Sequence, residues 1–404
     1  MGHGRNHYYN GVTATWTTRC CSALALIGCC GIAPSVAQPK SDRTPLLLFP
    51  TRPVWTLALN NQITVAPAYD ATRAFFSIDG DQLVCYELLS GTQLWIANLR
   101  PTLEPVAGDG FLFIVDAATL TALHAEDGTV AWQLPFTEPL AVRPVWDNGW
   151  LVVSNSAGSV LAFRAADGHL IWSRDLGSPA HALPALAADR AYVSTEDRRV
   201  VALNVVDGAP LWERRLGGPP NEILALDDRV YVGAKDHFFY CLMARDGRID
   251  WRWRIGGDLV GVATSDENNV YFVAQDNVLR ALNRKSGGQQ WLRPLPFRPV
   301  WAPVQVAGTI VVAGQSPSLR AYKISDGTSA GEVSAAAEIA ASAHVVENTF
   351  TGLPTVLIVT HDIKAGAAAL LITRTIEPAS TPLVPPNPPI LLPPLSPASQ
   401  GSGH

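Results

Sequence analysis

The sequence predicts an all-β chain that folds into an eight-bladed β-propeller with four antiparallel strands in each blade. Three observations lead to this prediction. A Trp recurs every 37 to 40 residues, an Asp-Gly or Ser-Gly pair precedes it at a fixed distance, and a small residue stands ten positions before it. Four short apolar runs in a period of about 40 residues, with no helical periodicity, are typical of a propeller blade.

Composition supports a large folded core. The chain has 404 residues, of which 48% are hydrophobic and 16% are charged, so global disorder is excluded. The 32 Gly and 31 Pro residues favour many turns over long helices. The net charge of −5 lacks the basic excess of a nucleic-acid-binding protein, so no nucleic acid is expected as a partner.

Residues 1–37 are predicted to be an export signal. Arg5 and Arg19 precede an apolar run, and the small residues Ser35 and Ala37 follow it at the positions of a cleavage site. The run is too short to span a membrane as a helix. A second interpretation stays open, because "LIGC" at 26–29 resembles a lipobox, in which Cys29 is lipidated and anchors the chain to a membrane. Both interpretations place the protein in the periplasm or at the outer membrane.

The repeated hexapeptide frame predicts one hairpin in each period. Its copies are "SGTQLW", "DGTVAW", "DGHLIW", "DGAPLW", "DGRIDW" and "SGGQQW", and a seventh copy at 326–331, "DGTSAG", lacks the Trp. Gly tolerates positive φ, and Asp or Ser can bond to the turn backbone, so each pair fits a turn between antiparallel strands. The Trp residues of the frames are predicted to be structural: Trp95, Trp132, Trp172, Trp212, Trp251 and Trp291.

A small residue accompanies each frame. We expect it to pack against the indole, across the hairpin or between neighbouring sheets. Cys85 and Cys241 are therefore predicted to be buried free thiols, and with four repeats between them they should lie too far apart to form a disulfide. The small residues are Cys85, Ala122, Ala162, Ala202, Cys241, Ala281 and Ala321.

The ends of the repeat region are incomplete in complementary ways. Trp55 lies in "PVWTLAL", an orphan strand without a preceding frame, whereas the last strands, near 338–374, lack a fourth. Joining them gives eight blades within a domain over 45–376, and seven blades is the alternative. Residues 377–404 are Pro-rich and lack many N–H groups, so this segment is predicted to be a flexible tail without strand ladders.

The frame and its small residue resemble the PQQ-like (quinoprotein) β-propeller repeat, and the resemblance covers roughly 45–375. One branch of that superfamily consists of dehydrogenases that hold PQQ and Ca²⁺ in the central channel. They have long insertions, and many have a vicinal disulfide, whereas this chain has tight periods and no adjacent cysteines beyond residue 30. The other branch consists of compact, eight-bladed, non-catalytic envelope proteins, among them one that acts in outer-membrane β-barrel assembly.

The resemblance to the second branch implies a monomeric, non-catalytic scaffold that binds a protein partner in the envelope and needs no cofactor. Two alternatives stay open. One is a PQQ-dependent oxidoreductase with PQQ and Ca²⁺, and the other is a propeller that binds a small ligand or glycan in its funnel. No motif of metal-binding or catalytic spacing accompanies the nine His residues.

Binding residues are expected on loops, because a rigid scaffold presents its polar loop groups to partners. In the predicted register, the loops between second and third strands gather the candidate partner-binding residues. Arg198 and Arg199 are favoured, since Arg forms bidentate bonds and anchors interfaces. The loops are residues 79–81, with Asp79 and Asp81, and residues 194–199, 234–238 and 274–277; the candidate partner-binding residues are Arg198, Arg199, Lys235, Asp236, His237 and Asp276.

Overall fold

The protein is an eight-bladed β-propeller in a computed structural model that describes residues 46–375 and the strand Ile390–Leu391. The described residues form eight antiparallel sheets and contain no helix. The prediction of eight blades is confirmed, and the alternative of seven is wrong. The predicted export signal, with Cys29, lies outside the described residues.

The first four blades follow one another along the chain, and each has the strand order of the sequence. Blade 1 consists of β2 (Ala68–Tyr69), β3 (Arg73–Ile78), β4 (Gln82–Glu87) and β5 (Gln93–Asn98). Blade 2 consists of β6 (Val106–Gly108), β7 (Phe111–Asp116), β8 (Thr119–His124) and β9 (Val130–Pro135). Blade 3 consists of β10 (Val145–Asp147), β11 (Trp150–Ser154), β12 (Ser159–Arg164) and β13 (Leu170–Asp175). Blade 4 consists of β14 (Ala185–Ala187), β15 (Arg190–Ser194), β16 (Arg199–Asn204) and β17 (Pro210–Arg215).

The remaining blades repeat this pattern until the ring closes. Blade 5 consists of β18 (Pro220–Ala225), β19 (Arg229–Ala234), β20 (Phe238–Met243) and β21 (Ile249–Arg254). Blade 6 consists of β22 (Thr264–Ser265), β23 (Asn269–Ala274), β24 (Val278–Asn283) and β25 (Gln289–Pro294). Blade 7 consists of β26 (Val304–Val306), β27 (Thr309–Val312), β28 (Ser318–Lys323) and β29 (Ser329–Ser334). Blade 8 consists of the split first strand β30 (Glu338–Ile339) and β31 (His344–Val346), then β32 (Thr355–Asp362), β33 (Gly366–Arg374) and β1 (Thr51–Ala58).

The first strand of each blade lies nearest the central axis. These short strands contact one another from blade to blade, as β2 does with β6, β6 with β10 and β10 with β14. The fourth strand, which carries the repeat Trp, forms the outer edge of the sheet. Consequently, the turns between second and third strands and the connections between blades share one end of the ring, which we call the loop face. The Asp-Gly turns lie at the opposite end, the turn face.

Each repeat Trp packs across its hairpin against the predicted small residue. Cys85 pairs with Trp95, Ala122 with Trp132, and the same pairing recurs through blade 6. In five blades an aromatic ring on the second strand also meets the indole, with ring centroids 5.7–5.9 Å apart. The small residue is required because it stands between two rings. Cys85 and Cys241 are buried free thiols, as predicted, and burial raises the pKa of each to about 12.

The same indole joins its blade to the next one. The Nε1–H of Trp172 donates to the backbone oxygen of Val205, 33 positions later, at 2.7 Å. The equivalent bonds of the other six repeat Trp residues measure 2.7–3.1 Å. The ring also covers the turn Gly of the next blade, whose φ is positive. A Cβ on Gly208 would lie 2.6 Å from the Trp172 ring. Gly is therefore required at this turn position for two reasons, the positive φ and the closeness of the ring.

The joint between blades 7 and 8 is built differently, because the seventh frame has Gly331 in place of Trp. Gly331 pairs with Ala321 at the position of the indole in the other blades. The ring of Phe49, from the opposite end of the chain, fills the space, and its Cδ1 would lie 2.2 Å from a Cβ on Gly331. The N-terminal segment therefore replaces the missing indole.

The two termini close the ring by strand pairing, as predicted. β1 pairs antiparallel with β33, and Trp55 lies opposite Leu371. Trp55 is buried and bonds through its Nε1–H to Leu88 of blade 1, like the other repeat Trp residues. The outer edge of β1 pairs in parallel with β34 (Ile390–Leu391). The expectation that the Pro-rich segment forms no ladder is wrong at these two positions, because both residues retain an N–H group.

Replacing Trp172 by Ala should lower the free energy of unfolding by about 3–5 kcal/mol, because it empties a buried site and removes an interblade hydrogen bond. Trp172→Phe keeps a ring over Gly208 but has no N–H donor, so its loss should be smaller. Denaturant titration of the parent and both variants measures the difference. An alanine variant that unfolds at the parental midpoint would contradict the docking role of the indole.

Restoring the repeat consensus with Gly331→Trp should destabilise the propeller, although a Trp stabilises every other joint. Phe49 already occupies the space, and the φ of Gly331, +154°, is unfavourable for a side chain. Thermal unfolding of Gly331→Trp alone and combined with Phe49→Ala checks this: the second substitution should recover part of the loss. A single variant that melts above the parent would show that the space is open.

Candidate functional site

The loop face is held rigid by hydrogen bonds between its turns and the connections that enter the next blade. The N–H of Leu176 donates to Gly158 O, that of Leu216 to Arg198 O and that of Ile255 to His237 O, at 2.8–3.0 Å. Every side chain predicted as a partner contact lies on this face. They occupy the turns of blades 4, 5 and 6, which are neighbours in the ring.

The two favoured arginines differ in whether the guanidinium group is already hydrogen-bonded within the protein. Arg199 donates to Asp197 Oδ2 at 2.7 Å, to Glu213 Oε2 at 2.9 Å and to Leu176 O at 2.7 Å, so its guanidinium ties a turn to two other segments. Arg198 lies exposed at the tip of the same turn with φ +75°. Arg198 is therefore the one of the pair that can reach a partner without breaking internal bonds.

Asp236 and Asp276 are also engaged inside the protein. Asp236 accepts bonds from Tyr240 Oη and from the Phe238 N–H. Asp276 accepts from Arg280 Nη1 at 2.9 Å and from the Gly256 N–H at 3.0 Å. Burial opposes ionisation of Asp276, but the Arg280 guanidinium outweighs it and lowers its pKa. Asp236 therefore stabilises its own hairpin, whereas Asp276 also ties its turn to the connection that enters blade 6.

Lys235 and His237 lie exposed on the turn of blade 5, on either side of Asp236. Lys235 Nζ lies 2.9 Å from Asp258 Oδ2, and His237 Nδ1 lies 3.7 Å from Asp258 Oδ1. An exposed pair of this kind contributes little to stability, so the two side chains remain available to a partner.

Repetition separates structural from candidate functional residues on this face. Asp197, Asp236 and Asp276 recur at the period of the repeat and each accepts hydrogen bonds within the protein, whereas Arg198, Lys235 and His237 do not recur as residue types at their positions. The recurrence was visible in the sequence and could have distinguished the two groups.

A second candidate site, missed by sequence reasoning, surrounds the loop-face end of the central channel. One residue from each blade lies near the start of the first strand at an equivalent place in the repeat, and all eight are half-buried, each followed by a buried residue. In seven blades it stands two positions before the first strand pairs with the second. In blade 5 pairing begins earlier, and Glu222 stands two positions before Leu224, which pairs with Tyr231 as Ala185 pairs with Tyr192. We call this set the channel-mouth ring. It consists of Ala66, Glu104, Arg143, Leu183, Glu222, Val262, Ala302 and Ser342.

Three of the eight ring positions carry charge. Arg143 Nε lies 3.1 Å from Glu104 Oε2, and the Glu222 carboxylate accepts a bond from the Val262 N–H. Burial raises the pKa of Glu104, although Arg143 opposes the shift. Burial also raises the pKa of Glu222, where Arg143 again opposes and Glu104 adds to the shift. Because Glu104 and Glu222 belong to blades 2 and 5, their mutual effect acts across the channel.

Two aromatic side chains lie beside the ring on the inner strands. Tyr69 of β2 and His344 of β31 stack with ring centroids 3.9 Å apart and planes 9° apart. Both are buried, and neither Tyr69 Oη nor His344 Nδ1 has a hydrogen-bond partner among the described residues. Burial lowers the pKa of His344 to about 3, so this imidazole is neutral, and burial followed by the Glu104 charge raises that of Tyr69.

The described part of the chain shows neither a metal-binding cluster nor a membrane-spanning helix. Between residues 46 and 375, no three His, Cys, Asp or Glu side chains are arranged to hold a metal ion. Nor does this region contain a helix with the length and apolar character needed to cross a membrane.

The closed ring, the four-stranded blades and the Trp that docks on the next turn define a propeller of PQQ-like repeats. The chain belongs to the family described as outer membrane protein assembly factor BamB, whose model matches residues 50–143, 116–226 and 224–365. Among curated proteins, no sequence matches the chain.

Solved structures show the same fold in proteins of different activities. BamB from Moraxella catarrhalis superposes with a TM-score of 0.64 at 18% identity, over 80% of this chain and 97% of that one. The quinohemoprotein alcohol dehydrogenase ADHIIG from Pseudomonas putida HK5 gives 0.65 at 12% identity, over 85% and 79%. A europium-containing methanol dehydrogenase gives 0.64 at 11% identity, over 80% and 93%. At these identities the likeness establishes the fold alone.

Neutralising Glu222 should stabilise the protein at neutral pH. Its folded-state pKa lies above its ordinary value of 4.5, so stability falls as pH rises through that window and the charged form is the unfavourable one. Glu222→Gln removes this charge, which burial and the Glu104 carboxylate disfavour, and should raise the melting temperature at pH 7.5. The gain should vanish below pH 4.

The matched control is Glu138→Gln, which removes an exposed carboxylate from the same face. Melting temperatures of the three proteins from pH 3.5 to 8 check this prediction. A Glu222→Gln variant that melts lower than the parent at pH 7.5 would mean that the carboxylate is held by favourable bonds.

Proposed function

We propose that the protein is a non-catalytic, protein-binding scaffold of the bacterial cell envelope that takes part in outer-membrane protein assembly. The observation that carries the proposal is the family match, which extends over residues 50–365 and so includes every blade. The export signal expected over residues 1–37 agrees with a periplasmic or outer-membrane-associated location. Lipidation of Cys29 would tether the propeller, and the protein acts as a monomer without a cofactor.

The loop face is the surface that we assign to the partner. It presents exposed Arg198 and Lys235, with Ile363, 87% exposed, on the turn of blade 8. A partner that covers this face would meet the cations of blades 4 and 5 on one side of the ring and the apolar side chain of blade 8 on the other, and such an interface needs only a few anchors to carry the affinity. Because internal hydrogen bonds fix these turns, binding requires little ordering of the surface.

The turn face offers the competing surface. Every blade places at least one acidic residue there, and Phe350, 88% exposed, projects from an inserted loop of blade 8. The Asn348 side chain and backbone hold this loop by bonds to Thr351 and Gly352. The acidic residues are Asp70, Asp127, Asp167, Asp207, Asp246, Asp266, Asp326 and Glu347.

A PQQ-dependent oxidoreductase is the second candidate function, favoured by the fold shared with ADHIIG and the methanol dehydrogenase. Purified protein mixed with PQQ and Ca²⁺ distinguishes the two: stoichiometric binding with dye-linked alcohol oxidation would replace the scaffold proposal.

Reversing the charge of the exposed cations Arg198 and Lys235 on the loop face should weaken partner capture without affecting the fold. Arg198→Glu with Lys235→Glu changes two exposed side chains and spares Arg199, whose substitution would break three internal bonds. Solubilised envelope from the native host, passed over immobilised propeller, should yield outer-membrane assembly components, identified by mass spectrometry. We expect at least a tenfold loss with the double variant at an unchanged melting temperature.

Phe350→Ser is the matched control on the turn face and should capture as the parent does. If Phe350→Ser loses capture while the arginine–lysine variant retains it, the partner binds the turn face. If no assembly component is captured by any of the three proteins, the scaffold proposal fails.

A further inference from the structure

The channel-mouth ring has an imbalance of charge that its own residues do not resolve. Arg143 is the one basic residue of the ring, and it faces two carboxylates, Glu104 and Glu222. Arg143 forms its ion pair with Glu104, whereas no basic side chain of the described residues lies within ion-pair distance of Glu222. A desolvated carboxylate without a counterion is costly, and a fold under no other constraint would place a neutral residue here.

The repeat shows that the fold does not require these charges. The same ring position is Ala66, Leu183, Val262, Ala302 or Ser342 in the other five blades. The blades that carry charge are 2, 3 and 5, whereas the four consecutive blades 6, 7, 8 and 1 carry small or apolar residues at this position. The charged group is therefore a local addition to a common frame.

An independent feature beside the ring also lacks a partner. Tyr69 Oη is buried, has no hydrogen-bond partner among the described residues, and lies within the electrostatic reach of Glu104. His344, stacked on Tyr69, presents a neutral ring whose Nδ1 is likewise unpartnered. Carboxylates, a phenol oxygen and a neutral imidazole can all accept hydrogen bonds, so the chemistry that complements them is a cation rich in N–H donors.

We infer that the channel mouth binds a primary ammonium or guanidinium group, held by the Glu104 and Glu222 carboxylates. Leu183 and Val262, on the same ring, would pack along the alkyl stem that carries the charged group. This chemistry is shared by a free small-molecule amine and by a Lys or Arg side chain that projects from a protein partner. The unpartnered Tyr69 Oη would accept one further N–H of the bound group.

Calorimetric titration of the propeller with L-argininamide tests the site for a free ligand, with tetramethylammonium as a probe of equal charge that has no N–H donor. A cyclic peptide with one Arg at its turn tests for a partner's side chain, beside the same peptide with neutral citrulline. We expect saturable binding of at least one Arg probe and none of tetramethylammonium or citrulline peptide. Glu104→Gln and Glu222→Gln should each weaken binding about tenfold or more, as expected for a lost charge-assisted hydrogen bond.

The arms separate the two sources. Binding of L-argininamide with an affinity similar to that of the peptide indicates a free amine, whereas binding of the peptide alone indicates a partner's side chain. Glu138→Gln, whose exposed side chain lies outside the ring, should leave either affinity unchanged, so a loss with the ring variants reports on the ring carboxylates. The titration contains no protein partner, so its outcome is independent of partner capture at the loop face. The proposal is overturned if neither Arg probe binds, or if binding is unaffected by both glutamine substitutions.

Discussion

The indole of one blade lying on the turn of the next is the interaction on which the whole ring depends. A four-stranded blade is too small to bury both of its faces, so its stability comes from its neighbours. The repeat Trp fulfils two needs at once, since its ring covers the turn Gly and its N–H satisfies a backbone oxygen 33 or so positions later. The turn Gly, the small residue and the Trp are thus one unit distributed over two blades. This explains why they recur together.

The repeat is interrupted at the joint between blades 7 and 8, next to the strands that close the ring, and residues outside the repeat fill the space there. Gly331 leaves a space that Phe49 fills, and Arg374 donates to Phe49 O at 2.5 Å, so the N-terminal segment is held from both sides of the joint. The seven indole joints and this single exception form one continuous core around the ring. A local sequence anomaly, the missing seventh Trp, is therefore explained by a contact between opposite ends of the chain.

Periodicity predicted the blade count, the Trp–small pairing, the free thiols and the closing strand, because each of these is repeated or is missing at a repeated position. It predicted the candidate site less well. Arg199, Asp236 and Asp276 were grouped with Arg198, Lys235 and His237 because all lie on turns, and only side-chain geometry shows that the first three are bonded internally. Glu104, Arg143 and Glu222 escaped notice because their proximity depends on ring curvature, which brings residues about 40 and 80 positions apart to one axis. The contact of Phe49 with Gly331 likewise has no local signal.

The pairing of β1 with β33 also sets the order in which the protein can be finished. When the chain is synthesised from its N-terminus, β1 appears first, and its partner β33 follows only after the intervening blades. Arg374 and Leu47, which bond across this joint, are 327 positions apart. During that interval the Phe49 ring lacks its contact at Gly331, and the strand has an open hydrogen-bonding edge. Contacts of such long range form slowly. Ring closure is therefore the last step of folding, and a partly synthesised chain that lacks β33 cannot perform it.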